Sequence, residues 1–387
     1  MWYGTPYGKW TAGRKRELFS LPEKRTPFGP DEVPEAVEMS EWKNLDPDGL
    51  PKTDLHVHLE GTMEPEMFFR FAARNRLDLP WKSPEELRAA CHFRDLGGFL
   101  KIYFKACEVL RTGRDFYELT RAYLERAAED GVVHTEMFLG PQTFLDAGVP
   151  LEAMMEGVFS AMEEMKERIS SLFLGSVIRS RPEEEALALL DRLTPWYDRI
   201  TGFGMGGAER GNPPGRFARY FSAVRERGFR TTIHAGEEGP PEYVREAVEL
   251  LHVDRIDHGN AAAEEPELLR LLAERKIPLT LCPVSNLRLH VVPSLQDHPL
   301  KRMLRAGVRV TINSDDPAYF LAGASGNWRA VAEALHLSPE EGWLLAENGI
   351  AASFLPEERK TDLFRRLAEF RNTSGCTLLG GRRKENA

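Results

Sequence analysis

The sequence predicts a TIM-type (β/α)8 barrel, and three observations predict it. From residue 51 onwards, short β-branched or apolar runs alternate with amphipathic stretches that end in turn residues. These runs number eight, the count at which a parallel sheet closes on itself. The residues able to do chemistry gather just after the runs, on the face where such barrels carry their active sites. An open doubly wound sheet shares the same alternation, and periodicity alone leaves it as the competing fold.

Strands are expected over residues 53–59, 132–139, 171–178, 199–205, 229–234, 255–258, 277–282 and 308–313. Between them lie helical patterns such as FYELTRAYLERAAEDG, with apolar residues three and four apart and a closing glycine. Gly228 follows RYFSAVRER at the place where a helix C-cap is expected. The barrel domain is expected over 51–375. Ahead of it, residues 1–50 hold Trp2, Trp10, Trp42, several prolines and the basic run Arg14, Lys15, Arg16, without a persistent period. An irregular arm lying over the barrel surface is the expectation there, with a subunit- or partner-contact role as the alternative. Residues 376–387 are expected to be a frayed tail.

Composition narrows the function classes. Hydrophobic residues make up 42% of the 387 and charged residues 29%, enough apolar material for one large core. The formal net charge of -9 has the wrong sign for sequence-independent binding of nucleic acid. No apolar run reaches the roughly 18 residues of a membrane span. The N-terminus has basic residues but no apolar core of a secretory signal. Cys91, Cys107, Cys282 and Cys376 are scattered without paired spacing, which suits reduced thiols in a cytoplasmic protein. A homo-oligomer is left open.

The first strand ends in Asp54, Leu55, His56, Val57 and His58. Residues two apart on a strand share a face, so His56 and His58 can converge on one ion. By itself an H-x-H pair fits two solvent-facing polar residues equally well. The fifth strand delivers His234 and then Glu237, the sixth delivers His258, and the eighth delivers Asp315 and Asp316. Placement after four different strands makes the set far more specific than its pieces. Neutral imidazoles with one carboxylate suit Zn²⁺ and leave a coordination position for water, so His56, His58, His234 and Asp315 are the expected ligands. The fourth strand, ITGFGM, ends in glycines and offers no bridging group, which points to one Zn²⁺ per chain.

Glu237 stands three residues after His234 and can face a substrate as a proton donor. The alternative is a partner for the N-terminus of the next helix. His258 can orient hydroxide or be a satisfied core histidine. Asp316 can support its neighbour Asp315 or accept a hydrogen bond from the substrate. Two decoys fail. Gly202, Gly204 and Gly207 match the dinucleotide fingerprint by letters, but Asn212, Pro213 and Pro214 intervene where a helix should open. The cytidine-deaminase signature is missing, because Cys282 has no second cysteine near it and reads as a buried strand thiol.

PKTDLHVHLEGT, HAGEEGPPEY, RIDHGN, LCPVSN and INSDDPAYF, in that order over about residues 50–354, resemble the adenosine/adenine deaminase family of the amidohydrolase superfamily. Glu60 in HLEGTMEPE, together with YFKACEVLRT, GPQTF and NSDDPAYF, is most similar to the adenine deaminase branch. The resemblance implies hydrolytic deamination of a 6-aminopurine, with adenine going to hypoxanthine and ammonia. Zn²⁺ on His56, His58, His234 and Asp315 would activate the water that attacks C6. Glu237 would protonate N1, while His258 and Asp315 orient the nucleophile. Asp316 would contact N7, Gly207 would approach the ring at N3 through its backbone, and Glu60 would belong to the substrate pocket.

Two departures from the branch stand out. Gly206, Gly207, Ala208 and Glu209 replace an Asp-Ser-Ser-Glu run, and Gly140 to Phe144 read GPQTF where Asp-Pro-Gln-Thr-His is usual. Both enlarge or depolarise the region around N9. Adenosine, or another N9- or N6-substituted aminopurine, is therefore the alternative substrate. More distant alternatives are a different barrel metallohydrolase and a non-catalytic zinc-binding relative.

Overall fold

The barrel strands are buried on both faces, because helices cover one side and the lumen fills the other. They are β1 (Lys52–His58), β2 (Val132–Leu139), β3 (Ser170–Ile178), β4 (Gly202–Gly206), β5 (Arg230–Ala235), β6 (Arg255–His258), β7 (Leu279–Leu281) and β8 (Val310–Ile312). All eight form one sheet in chain order, each pairing in parallel with the next. That order, with helices between strands, is the (β/α)8 barrel and not the doubly wound sheet. The computed structural model describes residue 47 and residues 49–373. The expected arm therefore lies almost wholly outside the described residues, and the tail with Cys376 lies wholly outside them.

The seam between β8 and β1 closes without a ladder. Val57 and Asp315 form a single parallel bridge. The His58 amide donates to the Asp315 carbonyl, and the Asp315 amide donates to the His56 carbonyl, both at 2.9 Å. Below it, side chains replace backbone partners. The Leu55 amide donates to Asn313 Oδ1 at 2.9 Å, and the Ser314 amide donates to Asp54 Oδ1 at 3.1 Å.

Three strands are shorter than their sequence period. Residues 199 and 200 do not extend β4, since their amides both turn back to the Trp196 carbonyl. The Ile277 amide closes the end of helix Pro266–Arg275 on Leu272, and the Val308 amide closes helix Leu300–Arg305 on Met303. In each case the apolar run includes the turn that leads into the strand. Helix Gly113–Glu129 opens with a reciprocal Thr112/Asp115 capping box. Gly228 takes φ +82° after helix Ala218–Glu226, a conformation that side chains resist.

The lower half of the lumen holds a buried polar layer. Arg255 Nη1 donates to Glu136 Oε2 at 2.6 Å and Nη2 to the Leu55 carbonyl at 3.0 Å, with both side chains fully buried. Arg255 also lies over the Phe354 ring, 4.2 Å from its centroid. Removing one member of such a pair strands an uncompensated charge. Arg255→Leu should cost about 3–5 kcal/mol, read as a lower urea midpoint at unchanged slope. A cost below about 1 kcal/mol would show that Glu136 finds another partner.

Candidate active site

Each expected site residue stands at or just beyond a strand end, and all of them meet in one cleft. His56 and His58 leave the same face of β1, with their Nε2 atoms 3.4 Å apart. His234, near the end of β5, brings its Nε2 to 3.1 Å from that of His56 and 3.0 Å from that of His58. Asp315 Oδ1 stands 3.5 Å from both β1 imidazoles. Four donors around a zinc at its usual bond lengths would stand about 3.3 Å apart on the edges of a tetrahedron. Five of the six separations among these atoms, 3.0–3.5 Å, lie close to that spacing.

The second ring nitrogens of His56 and His234 face protein acceptors away from the common centre. His56 Nδ1 lies 3.4 Å from the Thr280 carbonyl and 3.2 Å from Thr280 Oγ1, and His234 Nδ1 lies 3.4 Å from Asp257 Oδ2. Burial, reinforced by the neighbouring histidines, holds His56 well below the ordinary imidazole pKa and brings His58 down to about 3. Neutral rings with lone pairs facing one point, beside a carboxylate, form a cation site. Donor atoms of His56, His234, His258 and Asp315, and likewise of His58, Asp315 and Asp316, lie within 4.8 Å of one another.

Two site residues occupy strained backbone. His258 has φ +62° and Asp315 has φ +64°, values uncommon for side-chain-bearing residues and found where surrounding contacts impose them. The two hydrogen bonds of the β8–β1 seam fix Asp315 in that state. His258 is held from behind. Asn286 Oδ1 lies 3.1 Å from His298 Nε2, so the Asn286 amide nitrogen, 3.3 Å away, meets His258 Nδ1 as a donor. The His258 proton then sits on Nε2, which lies 3.6 Å from Glu237 Oε1 and 3.9 Å from Asp315 Oδ2. Burial and the nearby His234 keep this ring neutral.

Carboxyls in the cleft are pushed the opposite way. Burial, then the charges of Asp315 and Glu209, raise Glu237 well above the ordinary carboxylate range. Burial and Asp315 do the same to Asp316. Glu60 rises to about 7, chiefly through burial. Its Oε1 accepts the Gly140 amide at 2.8 Å, while Glu60 Oε2 and Asp316 Oδ1 have no hydrogen-bond partner among the described residues. A Cβ on Gly61 would stand 1.8 Å from Asp316 Oδ1, so this turn admits only glycine.

The cleft holds a cavity of about 70 Å³ that opens to solvent, and it is lined by His58, Glu60, His234, Glu237, His258, Asp315, Asp316 and Gly207. Leu96, Phe99, Leu100 and Tyr103 from helix Leu96–Cys107 form its apolar wall, and no lysine or arginine among the described residues lines it. Two glycines of the rejected dinucleotide fingerprint, Gly202 and Gly204, serve packing. A Cβ on Gly202 would stand 2.6 Å from the Arg230 carbonyl, and one on Gly204 would stand 2.9 Å from Phe138. Cys91, Cys107 and Cys282 are buried free thiols, with Cys282 just past the end of β7.

Several supporting residues escape sequence reasoning. Asp257 Oδ1 accepts hydrogen bonds from Thr232 Oγ1 at 2.7 Å and Thr280 Oγ1 at 2.9 Å, while its Oδ2 faces His234. One buried carboxylate thus stands behind His234 directly and behind His56 through Thr280. Burial alone would raise its pKa, but His56, His234 and Arg255 together hold it below the ordinary range. An acidic residue within a short buried strand was the only signal. Glu209, buried, closes the Gly206–Glu209 run seen in the sequence, which did not reveal its role, and the buried Arg179 gave no signal.

A family model described as adenosine deaminase matches residues 51–370. The chain belongs to the adenosine deaminase family. Within that family it is similar to an adenine deaminase of Rhodopseudomonas palustris (strain BisB18), 53% identical over 83% of this chain and 94% of the relative. It is also similar to the crystal structure of adenine deaminase from Arthrobacter aurescens, 42% identical with a TM-score of 0.82, covering 84% of this chain and 99% of that one. A zinc-bound cog1816 amidohydrolase from Burkhoderia ambifaria is 27% identical with a TM-score of 0.79, over 89% of this chain and 98% of the other. As a member of the adenosine deaminase family the chain is a deaminase hydrolase of the adenine/adenosine type. No helix among the described residues is long and apolar enough to cross a membrane.

Carboxylates that orient ligating histidines are worth about 10–100-fold in metal affinity. Asp257→Asn should weaken zinc binding by that factor in a chelator competition while the fold melts cooperatively. Unchanged affinity would remove Asp257 from the support of His234 and His56.

Proposed function

We propose that this chain hydrolyses adenine to hypoxanthine and ammonia, using one zinc held by His56, His58, His234 and Asp315. The observation that carries the proposal is the convergence of three imidazole Nε2 atoms, 3.0–3.4 Å apart, with Asp315 Oδ1 3.5 Å from two of them, beneath a cleft whose acids are buried and raised. Zinc in that position would supply a Lewis acid that brings the pKa of water towards about 7. The adenine deaminase relatives and the zinc-bound amidohydrolase support both halves of the reading.

The chain's own residues supply the remainder. Glu237, protonated because it is buried, donates to N1 as oxygen adds at C6, and the ring nitrogen then carries the proton rather than a negative charge. His258, neutral and protonated on Nε2, directs a donor towards the attacking oxygen and Asp315. Asp316, raised in the same way, presents a hydroxyl to N7, an acceptor. Glu60 places its unpartnered Oε2 towards the imidazole edge of the purine, and Gly207 lets the backbone approach the other ring. The apolar wall of Leu96, Phe99 and Tyr103 covers the base and excludes water, which strengthens each of these contacts.

A substrate without phosphate fits a cleft lined, among the described residues, by four acids and no arginine or lysine. Gly140, Gly206 and Gly207 leave side-chain-free space beside Glu60, and that favours adenosine or a substituted aminopurine as the second reading. Ammonia release from adenine, adenosine and AMP decides between them. Adenine should be turned over far faster than adenosine, and AMP not at all; preference for adenosine would overturn the free-base assignment. Glu237→Gln should lower kcat by about 10²–10⁴-fold with zinc content unchanged, whereas retained turnover would remove Glu237 as the acid.

A further inference from the structure

The turn that carries Glu237 is fastened by a single carboxylate. Glu209, 1% exposed, follows β4 and reaches beneath the loop that follows β5. Its Oε1 accepts the Gly236 amide at 2.6 Å. Its Oε2 accepts the amides of Glu237 at 3.0 Å, Glu238 at 2.8 Å and Gly239 at 2.8 Å. Four consecutive backbone N–H groups thus point at one side chain. Such charge-assisted bonds to backbone amides are roughly twice as strong as neutral ones.

The fit is close on every side. A Cβ on Gly239 would stand 2.5 Å from Glu209 Oε1, and one on Gly236 would stand 2.5 Å from Val244. Arg179, fully buried, locks the same assembly from beneath. It donates to the His234 carbonyl at 2.6 Å and, through Nε and Nη2, to the Asn212 carbonyl at 3.1 and 2.8 Å. Its guanidinium lies 4.0 Å from Glu209 Oε1 and balances the buried charge. The loops after β3, β4 and β5 are therefore bound together directly below the acid.

We propose that Glu209 is a positioning residue for the deamination: by collecting the amides of residues 236–239 it sets where the Glu237 carboxyl stands relative to the purine. Only a fully ionised, acceptor-only group satisfies four converging donors. An amide of the same shape would turn an NH₂ towards one of them. The electrostatics agree with the geometry, since the charge of Glu209 is one of the causes that keep Glu237 protonated. The proposal rests on Glu237 being the proton donor.

The test compares Glu209→Gln, Glu237→Gln and the double variant, each zinc-loaded. For Glu209→Gln, kcat on the preferred aminopurine should fall about 10²-fold, the effect of misplacing a catalytic group by about an ångström, with KM within about threefold of wild type. Zinc should stay at wild-type stoichiometry, and amide hydrogen exchange should quicken at residues 236–239 but not in the barrel strands. The double variant should be no slower than Glu237→Gln alone, because both changes remove one function. If Glu209→Gln does not fold, Glu209→Asp carries the same measurements. It keeps the charge facing Arg179 but is one methylene too short to reach all four amides. Wild-type kcat in the Glu209 variant while Glu237→Gln is inactive would overturn the proposal alone. So would a loss of kcat that tracks loss of zinc. Wild-type turnover in Glu237→Gln would instead refute the acid assignment beneath it.

Discussion

The parallel bridge between Val57 and Asp315 closes the barrel, and the site depends on that closure. Two 2.9 Å backbone hydrogen bonds join the last strand to the first at the height of His56 and His58. They hold Asp315 at φ +64°, a backbone state with an intrinsic cost, and so direct its carboxylate at the two imidazoles. Most of the β8–β1 seam is stitched by side chains instead, through Asn313 and Asp54. Closure of the sheet and assembly of the donor set are therefore one event. A barrel that failed to close here would separate Asp315 from His56 and His58.

Burial then sorts the charges. The same low-polarity environment that pushes the pKa of His56, His58 and His258 down pushes those of Glu237 and Asp316 up. Neutral imidazoles have lone pairs for a cation, and protonated carboxyls have hydrogens for ring nitrogens. Asp257 and Glu136 are held lower in equally deep positions, with Arg255 beside both and hydrogen-bond donors facing them. The lumen thus has an ionised layer that supports a neutral one, and the cleft opens above the neutral one. Catalytic groups placed this way need little rearrangement as charge develops.

Much of this was legible in the residues. Short apolar runs marked all eight strands, and the histidines and carboxylates after them marked one face. The strand limits at residues 199, 277 and 308 were not legible, because an apolar residue closing a helix looks the same as one opening a strand. Glu60, Glu237, His258 and Asp316 were found through motifs at strand ends. Glu209, Arg179 and Asp257 were not, since they act on backbone amides, carbonyls or the far side of a ligand ring. Their partners lie about 20 to 55 residues away in the chain, and no short pattern records such a contact.

The central claim is that four donors, and those four, hold one metal. Diffraction from zinc-loaded crystals on either side of the zinc absorption edge tests it most directly. The account predicts one anomalous peak per chain, at about 2.0–2.2 Å from Nε2 of His56, His58 and His234 and from an Asp315 oxygen. Two peaks, or one peak bound by His258 in place of His58, would contradict it.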